Sequence, residues 1–181
     1  MNGPVIETER LILRAPVAAD LDGFAEMMAD AEAARFLGGA VPRAAAWRLM
    51  AAIAGSWLLN EFSMFSVIEK ASGDWIGRLG PWQPEGWPGT EIGWGLKRSA
   101  WGKGYASEGA AAAMDWAFET LAWDDVIHSI DPANVGSIAV AERLGSTHRG
   151  AGKLPPPLEA FPVDIWGQTR AQWLARRKTQ E

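Results

Sequence analysis

The stretch from Leu96 to Leu121 constrains this chain more than any other. A strand pattern runs out at Leu96, the segment LKRSAWGKGYASE turns through Gly102 and Gly104, and a helical pattern begins at once. From Ala106 to Leu121, residues Ala110, Ala113, Met114, Ala117, Phe118 and Leu121 fall on one stripe, with Glu108, Asp115 and Glu119 on another. That spacing predicts an amphipathic helix. A helix N-terminus leaves its first four N–H groups unpaired and carries roughly half a positive elementary charge. Glycines let a phosphate approach that backbone, so the geometry suits a diphosphate, although two glycines can also serve a plain strand-to-helix turn.

The flanking periodicity sets the architecture around this segment. Arg10 to Arg14 alternates as a half-buried strand, and from Asp20 onward Leu21, Phe24, Met27 and Met28 recur at helical spacing. A second helix is predicted over Ala44 to Leu59, after Pro42. Three β-rich runs then follow without helical crossovers, Phe62 to Glu69, Trp75 to Pro81 and Glu91 to Leu96, as in an antiparallel meander. Beyond the long helix come a strand at Val126 to Ile130, a helix at Val135 to Leu144 ended by Gly145, a strand at Phe161 to Gln168 and a basic final helix. A meander followed by crossover helices predicts an α/β (α+β) domain with a mixed sheet and helices on both faces. The 181 residues, 48% hydrophobic, suffice for one such domain, so residues 1–181 are expected to form it alone.

Composition removes several functions. A net charge of −5 argues against nucleic acid or an anionic membrane as partner. Met1 to Pro16 has no apolar signal core, and no window approaches the ~20 apolar residues of a spanning helix. The chain therefore reads as soluble and cytoplasmic. Without cysteine there is no disulfide, thiolate metal site or cysteine nucleophile. His128 and His148 have no metal-ligand spacing, and both read as structural.

Two phosphate-loop patterns can be tested on the central segment. A P-loop needs Ser or Thr after its lysine and a glycine six residues before it, whereas Lys103 is followed by Gly104 and Lys97 occupies that earlier position. The dinucleotide fingerprint fits Gly102, Gly104 and Ser107, with Asp131 somewhat beyond the expected ~20 residues. That makes a dinucleotide-dependent oxidoreductase the runner-up, although the meander before the loop is not a parallel βαβαβ half.

Taken together, WGKGYASEG with MDWAFETL, then DPANVGSIAVAERLG, resembles the RimJ/RimL branch of the GNAT N-acetyltransferases, and ETERLILRAP and ARFLGG add to the likeness. The resemblance covers about Glu7 to Gly150. It implies a mainly antiparallel sheet splayed between the fourth and fifth strands, with the pantetheine arm of acetyl-coenzyme A in the splay. It also implies that Gly102, Lys103, Gly104, Tyr105 and Ala106 cradle the pyrophosphate, that Leu96 and Arg98 contribute to coenzyme binding, and that Asn134 and Ser137 lie beside the pantetheine and thioester. The acceptor would be a primary amine on a small molecule or a protein N-terminus. Ser99 departs from the usual Gln or Arg, Ser146 from the usual aromatic, and Ala141 falls where relatives carry a tyrosine acid. A chain lacking that acid could also be a non-catalytic acyl-coenzyme A-binding module.

Acetyl transfer to nitrogen needs a neutral amine. Deprotonating a lysine-like amine of pKa about 10.4 at neutral pH costs ~4 kcal/mol, while holding reactants in attack geometry supplies about 7–11 kcal/mol. Glu91 is the candidate base, because it starts the strand before the loop and alternates with Gly93 and Gly95, leaving one face bare while Ile92, Trp94 and Leu96 face the core. A solvated carboxylate at a strand entry is the plainer alternative. Ser137 is the candidate donor to the departing thiolate, or a helix-capping residue beside Asn134. Among the eleven tryptophans, Trp82 and Trp87 flank the loop PWQPEGWPG and are candidates for acceptor specificity, while Trp94 and Trp116 read as core.

Overall fold

The computed structural model describes residues 3–178. In chain order, β1 (Ile6–Glu7) and β2 (Leu11–Arg14) precede α1 (Leu21–Ala29), α2 (Ala31–Ala34) and α3 (Arg43–Leu59). The meander is β3 (Phe65–Glu69), β4 (Trp75–Trp82) and β5 (Glu91–Leu96). Then come α4 (Tyr105–Glu119), β6 (Asp125–Ile130), α5 (Val135–Leu144), β7 (Thr147–Gly152), β8 (Val163–Thr169) and α6 (Arg170–Lys178). The eight strands form one sheet in the order β1-β2-β3-β4-β5-β6-β8-β7, antiparallel everywhere except between β5 and β6. That is the mixed α/β architecture expected, with the splay between β5 and β6 once β1 is counted.

Each sheet face has its own core. On one side α4 lays Ala110, Ala113, Met114, Ala117 and Phe118 against Leu11, Leu13, Phe65, Val67 and Leu79. Its small residues let the helix axis come close to the sheet, so the long stripe in the sequence becomes a flat contact. On the other side α1 and α3 bury Phe24, Met27, Met28, Met50 and Ile53 with Met64 and Trp75. The sequence placed Leu121 inside α4, but the helix stops at Glu119 and Ala122 takes a positive φ of 54°. Leu121 still packs on the core after the turn, which is why the stripe ran past the helix.

Two strands carried no period-2 signal. β1 is two residues long, and β7 reads THRGAG with mostly exposed positions at the sheet edge. His148, read as structural, sits in β7, paired opposite Trp166. No described helix is long and apolar enough to cross a membrane.

The entry to α1 is fixed by a buried charge. Asp20, 3% exposed, accepts 2.8 and 2.7 Å hydrogen bonds from Arg14, a 2.9 Å bond from the Val17 N–H and a 2.7 Å bond from Ser66, whose oxygen in turn accepts from Trp75 Nε1 at 3.0 Å. Burial opposes ionisation of Asp20, but these donors outweigh it and hold its pKa below the ordinary carboxylate range. Asp20→Asn strands Arg14 and should cost about 3–5 kcal/mol in denaturant unfolding. Because the folded pKa is depressed, the wild-type advantage is present above the ordinary carboxylate pKa and is lost as pH falls through the folded value. Melting curves of both proteins from neutral to strongly acid pH should converge at the acid end.

Candidate active site

The strand-to-helix turn presents an uncapped helix. Gly104, the cap residue of α4, takes φ 82° and ψ 0° and offers no side-chain cap hydrogen bond to the first-turn N–H groups. The N–H groups that open α4, starting with Tyr105 and Ala106, are thus left for a ligand. Gly102 also has positive φ, 73°. A β-branched side chain at Gly104 would be strained at that φ, and its Cβ would lie 3.4 Å from Arg10 Nη2.

Arg10, which the sequence did not single out, braces this turn. Its Nη1 donates to the Lys103 carbonyl at 2.9 Å, its Nε to Glu108 Oε2 at 2.7 Å, and its guanidinium stacks 4.6 Å from the Tyr105 ring centroid. Thr8 Oγ1 adds a 2.6 Å bond to Glu108. Glu108 in the first turn of α4 is therefore neutralised, and Arg143 of α5 brings a further cation with a 3.1 Å bond to Ser107 Oγ. Lys103 lies with its ammonium 6.0 Å from the Tyr105 ring. Cations around an uncapped helix start suit a diphosphate. Ninety-eight residues separate Arg10 from Glu108, so no local pattern could have joined them.

The other expected loop residues lie differently. Leu96 is buried in the α4-side core and its carbonyl accepts from Trp101 Nε1 at 2.9 Å. Arg98 is turned to Asp30, 3.1 Å away, at the start of α2. The Tyr105 hydroxyl donates to Glu69 on β3, and that bond raises its pKa. The chain's one tyrosine is thereby committed at the loop.

Next to the turn, the sheet opens. β5 and β6 share a single register pair, Glu91 with Ile127, and beyond it the strands part. A side chain takes over the lost ladder bond: His128 Nδ1 lies 2.6 Å from the Ile92 carbonyl. A carbonyl can only accept, so Nδ1 carries the hydrogen, and Nε2 accepts from Ser146 Oγ at 2.9 Å. Gln168 Nε2 donates to that Ser146 oxygen at 2.9 Å and to the Leu144 carbonyl at 3.0 Å. Burial pushes the His128 pKa down to about 4 against the pull of the Ile92 bond, so the ring is neutral. Ser146, where the resemblance implies an aromatic, supplies a hydroxyl that this network uses.

A cavity of about 310 Å³ crosses the splay. Trp94, Asn134 and Ser137 line one part of it, and Arg78, Trp82, Trp87 and Glu91 another. Trp94 had read as a core residue; it packs on the core but also faces the cavity, 4.9 Å from His128, and donates from Nε1 to Ser137 Oγ at 3.1 Å. Ser137 keeps its own hydrogen to give, polarised by that bond. Asn134 caps α5 by accepting from the Ser137 N–H at 3.1 Å.

Glu91 is 7% exposed, and its Oε2 accepts from Trp87 Nε1 at 2.7 Å. Burial pushes its pKa up to about 7, resisted by Ser129, Trp87 and the charge of Arg78. It is thus a buried group, unlike the solvated carboxylate of the plainer alternative. The bare face of β5 is only partly open. A Cβ at Gly93 would lie 2.8 Å from Met64 Cε and 3.0 Å from Glu91 Oε1, and one at Gly95 would lie 3.0 Å from Leu37 Cδ1. The glycines admit the carboxylate and these two apolar side chains.

Residues 10–147 match the acetyltransferase (GNAT) domain family. The chain belongs to that family. Its antiparallel meander and single parallel pair disfavour the dinucleotide-binding alternative. It is 38% identical over 85 residues to the protein YkkB of Bacillus subtilis (strain 168), covering 46% of this chain and 49% of that one, so the match spans about half of that relative. An acetyltransferase from Agrobacterium tumefaciens str. C58 has a solved structure with TM-score 0.82 and 30% identity, covering 93% of this chain and 95% of the other. The ribosomal-protein-S5-alanine acetyltransferase of Vibrio fischeri shares the fold at TM-score 0.73 and 18% identity, with 94% and 98% covered.

The titration of Glu91 has a consequence independent of catalysis. Its folded pKa is raised, so its contribution to stability is full below about 4.5, the ordinary value, and is lost as pH rises through about 7. Glu91→Gln has no such dependence. Unfolding measured from pH 4 to 8 should show the variant gaining on wild type as pH rises, by about 3 kcal/mol at full ionisation.

Proposed function

We propose that this GNAT protein transfers acetyl to a primary amine by direct attack within a ternary complex, with Glu91 as base and Ser137 as donor to the departing sulfur. The observation that carries the reading is that one cavity at the splay is lined by both a buried carboxylate of pKa about 7 and a hydroxyl already polarised by Trp94. Acetyl-coenzyme A supplies the activated thioester. Gly102, Lys103, Gly104, Tyr105 and Ala106 would hold its diphosphate on the start of α4, braced by Arg10, while Asn134 and Ser137 flank the acyl end. Leu96 and Arg98 contribute less in this reading, since both are engaged elsewhere.

At neutral pH about half of Glu91 is ionised, which suits taking a proton from an ammonium and passing it on. Ser137 directs its hydrogen to the place where charge collects on sulfur, a role that relatives give to a tyrosine; Ala141 is buried and cannot fill it. The RimJ/RimL-like placement is part of the same proposal, supported by the motifs and by the fold shared with the Vibrio fischeri enzyme, whose name keeps a protein among the acceptor classes beside small amines. So are a cytoplasmic setting and the reading of residues 1–181 as one domain, supported by strands from Ile6 to Thr169 in one sheet.

Calorimetric titration with acetyl-coenzyme A should give micromolar binding that Gly104→Val weakens at least about tenfold, ~1.4 kcal/mol, without unfolding the protein. No binding, or binding of NADH in its place, overturns the reading. Turnover follows as the second test. Glu91→Gln should remove the limb of the pH–rate profile near 7 and lower kcat about 100-fold; an unchanged profile removes Glu91 from the mechanism, and binding without turnover over a broad amine panel identifies a non-catalytic module.

A further inference from the structure

We propose that Arg78 anchors a carboxylate on the acceptor, so that the substrate is a small primary amine of amino-acid type with an apolar side chain. The inference rests on the acetyl-transfer reading and specifies its acceptor. In the antiparallel register of β4 and β5, Trp82 stands opposite Glu91, Gly80 opposite Gly93, and Arg78 opposite Gly95. Directly opposed residues share a sheet face. Arg78 and Glu91 therefore lie at two ends of one strip whose middle rung is a pair of glycines, and both line the same cavity.

Arg78 differs from the other packed arginines in how it is satisfied. Arg14 pairs with Asp20, Arg10 with Glu108 and Arg149 with Asp125, each through short oxygen contacts. The Arg78 guanidinium donates to the Met64 sulfur, its Nε is buried without a partner, and no carboxylate of the described residues comes within ion-pair distance. A thioether is a weak acceptor for a cation, and a partly buried cation without an anion is under-satisfied. Met64 is also what fills the glycine rung, its Cε 2.8 Å from a Cβ placed at Gly93. An unbranched, flexible side chain there can be displaced. A ligand carboxylate that takes the place of Met64 on Arg78 would lie along the strip that leads to Glu91, with its amine toward the base.

The walls of this end, Phe24, Leu37, Trp82 and Trp87, suit an apolar side chain. Size argues for a free small molecule, because the 310 Å³ cavity must also admit the acyl end beside Trp94 and Ser137. Arg78 could instead serve only to tune Glu91, whose charge opposes the fall of the Arg78 pKa to about 10 on burial. Such tuning would act on every acceptor alike, whereas an anchor acts only on acceptors that carry the carboxylate.

The test compares matched acceptors with the full chain and acetyl-coenzyme A, reading thiol release: phenylalanine, methionine and leucine against their amides and decarboxylated amines. The wild type should prefer the acids. Arg78→Met should lower kcat/KM for the acids, mainly through KM, by ~30-fold or more beyond whatever common change it makes for the amides and amines. Arg78→Lys should restore part of the preference, and melting curves check that both variants are folded. Equal use of acids and amides by wild type, equal loss on all acceptors in Arg78→Met, or preference for N-terminal peptides over every free amino acid overturns the proposal. Those results leave acetyl transfer intact, whereas failure to bind acetyl-coenzyme A overturns the reading beneath it.

Discussion

The site depends on the single rung that β5 and β6 share. Were the two strands paired along their length, the sheet would close and no cavity would lie beside Glu91. With only Glu91 and Ile127 in register, the strands are tied at one point and free beyond it. An open sheet interior leaves backbone carbonyls without partners, which is costly unless something else donates. His128 does this for Ile92, and its other nitrogen is satisfied by Ser146, which is held by Gln168 on β8. The opening is therefore a stable feature built from side chains, and its neutral imidazole adds no charge to the cavity wall.

Much of this was legible in the sequence, for reasons that can be traced. α4 declared itself because its stripe is long and its partner face uniform, and the meander because three strand-like runs followed one another without room for a crossover. Glu91 stood out through the glycines beside it. What stayed hidden was whatever depends on residues far apart in the chain. Arg10 gives no sign in its own neighbourhood that it will grip Lys103 and Glu108, and Trp94 looks like a core residue because one side of its ring is. β7 was missed because an exposed, glycine-containing edge strand has no buried face to alternate with. Arg98 was carried to the phosphate loop by resemblance, and Asp30 supplies a nearer partner.

The two buried ionic arrangements on the α1 side of the sheet show how one fold uses charge for different ends. Asp20 receives donors from Arg14, Val17 and Ser66, so its ionised form is favoured and the link between β2, α1 and β3 is rigid. The burial of Glu91 is opposed only by Ser129, by the 2.7 Å bond from Trp87 and by an Arg78 charge outside ion-pair distance, so burial prevails and both protonation states are accessible near neutrality. A fully satisfied carboxylate makes a good structural tie and a poor base, since its proton affinity is too low. An under-satisfied one is the reverse.

The same reasoning bears on why Glu91 and Arg78 are kept apart. A direct ion pair would hold Glu91 ionised with a depressed pKa and would use up the guanidinium. Separation by the Gly80–Gly93 rung, with Met64 over it, leaves a carboxylate able to take a proton and a cation able to take an anion. Under the acceptor proposed above, the molecule bridging the two has its amine toward Glu91 and its acidic group on Arg78. Its arrival would bring an anion to Arg78 and exclude water from Glu91, and both changes raise the affinity of Glu91 for a proton. Binding the acceptor would then strengthen the base at the moment it is needed, a coupling that requires the gap between the two residues.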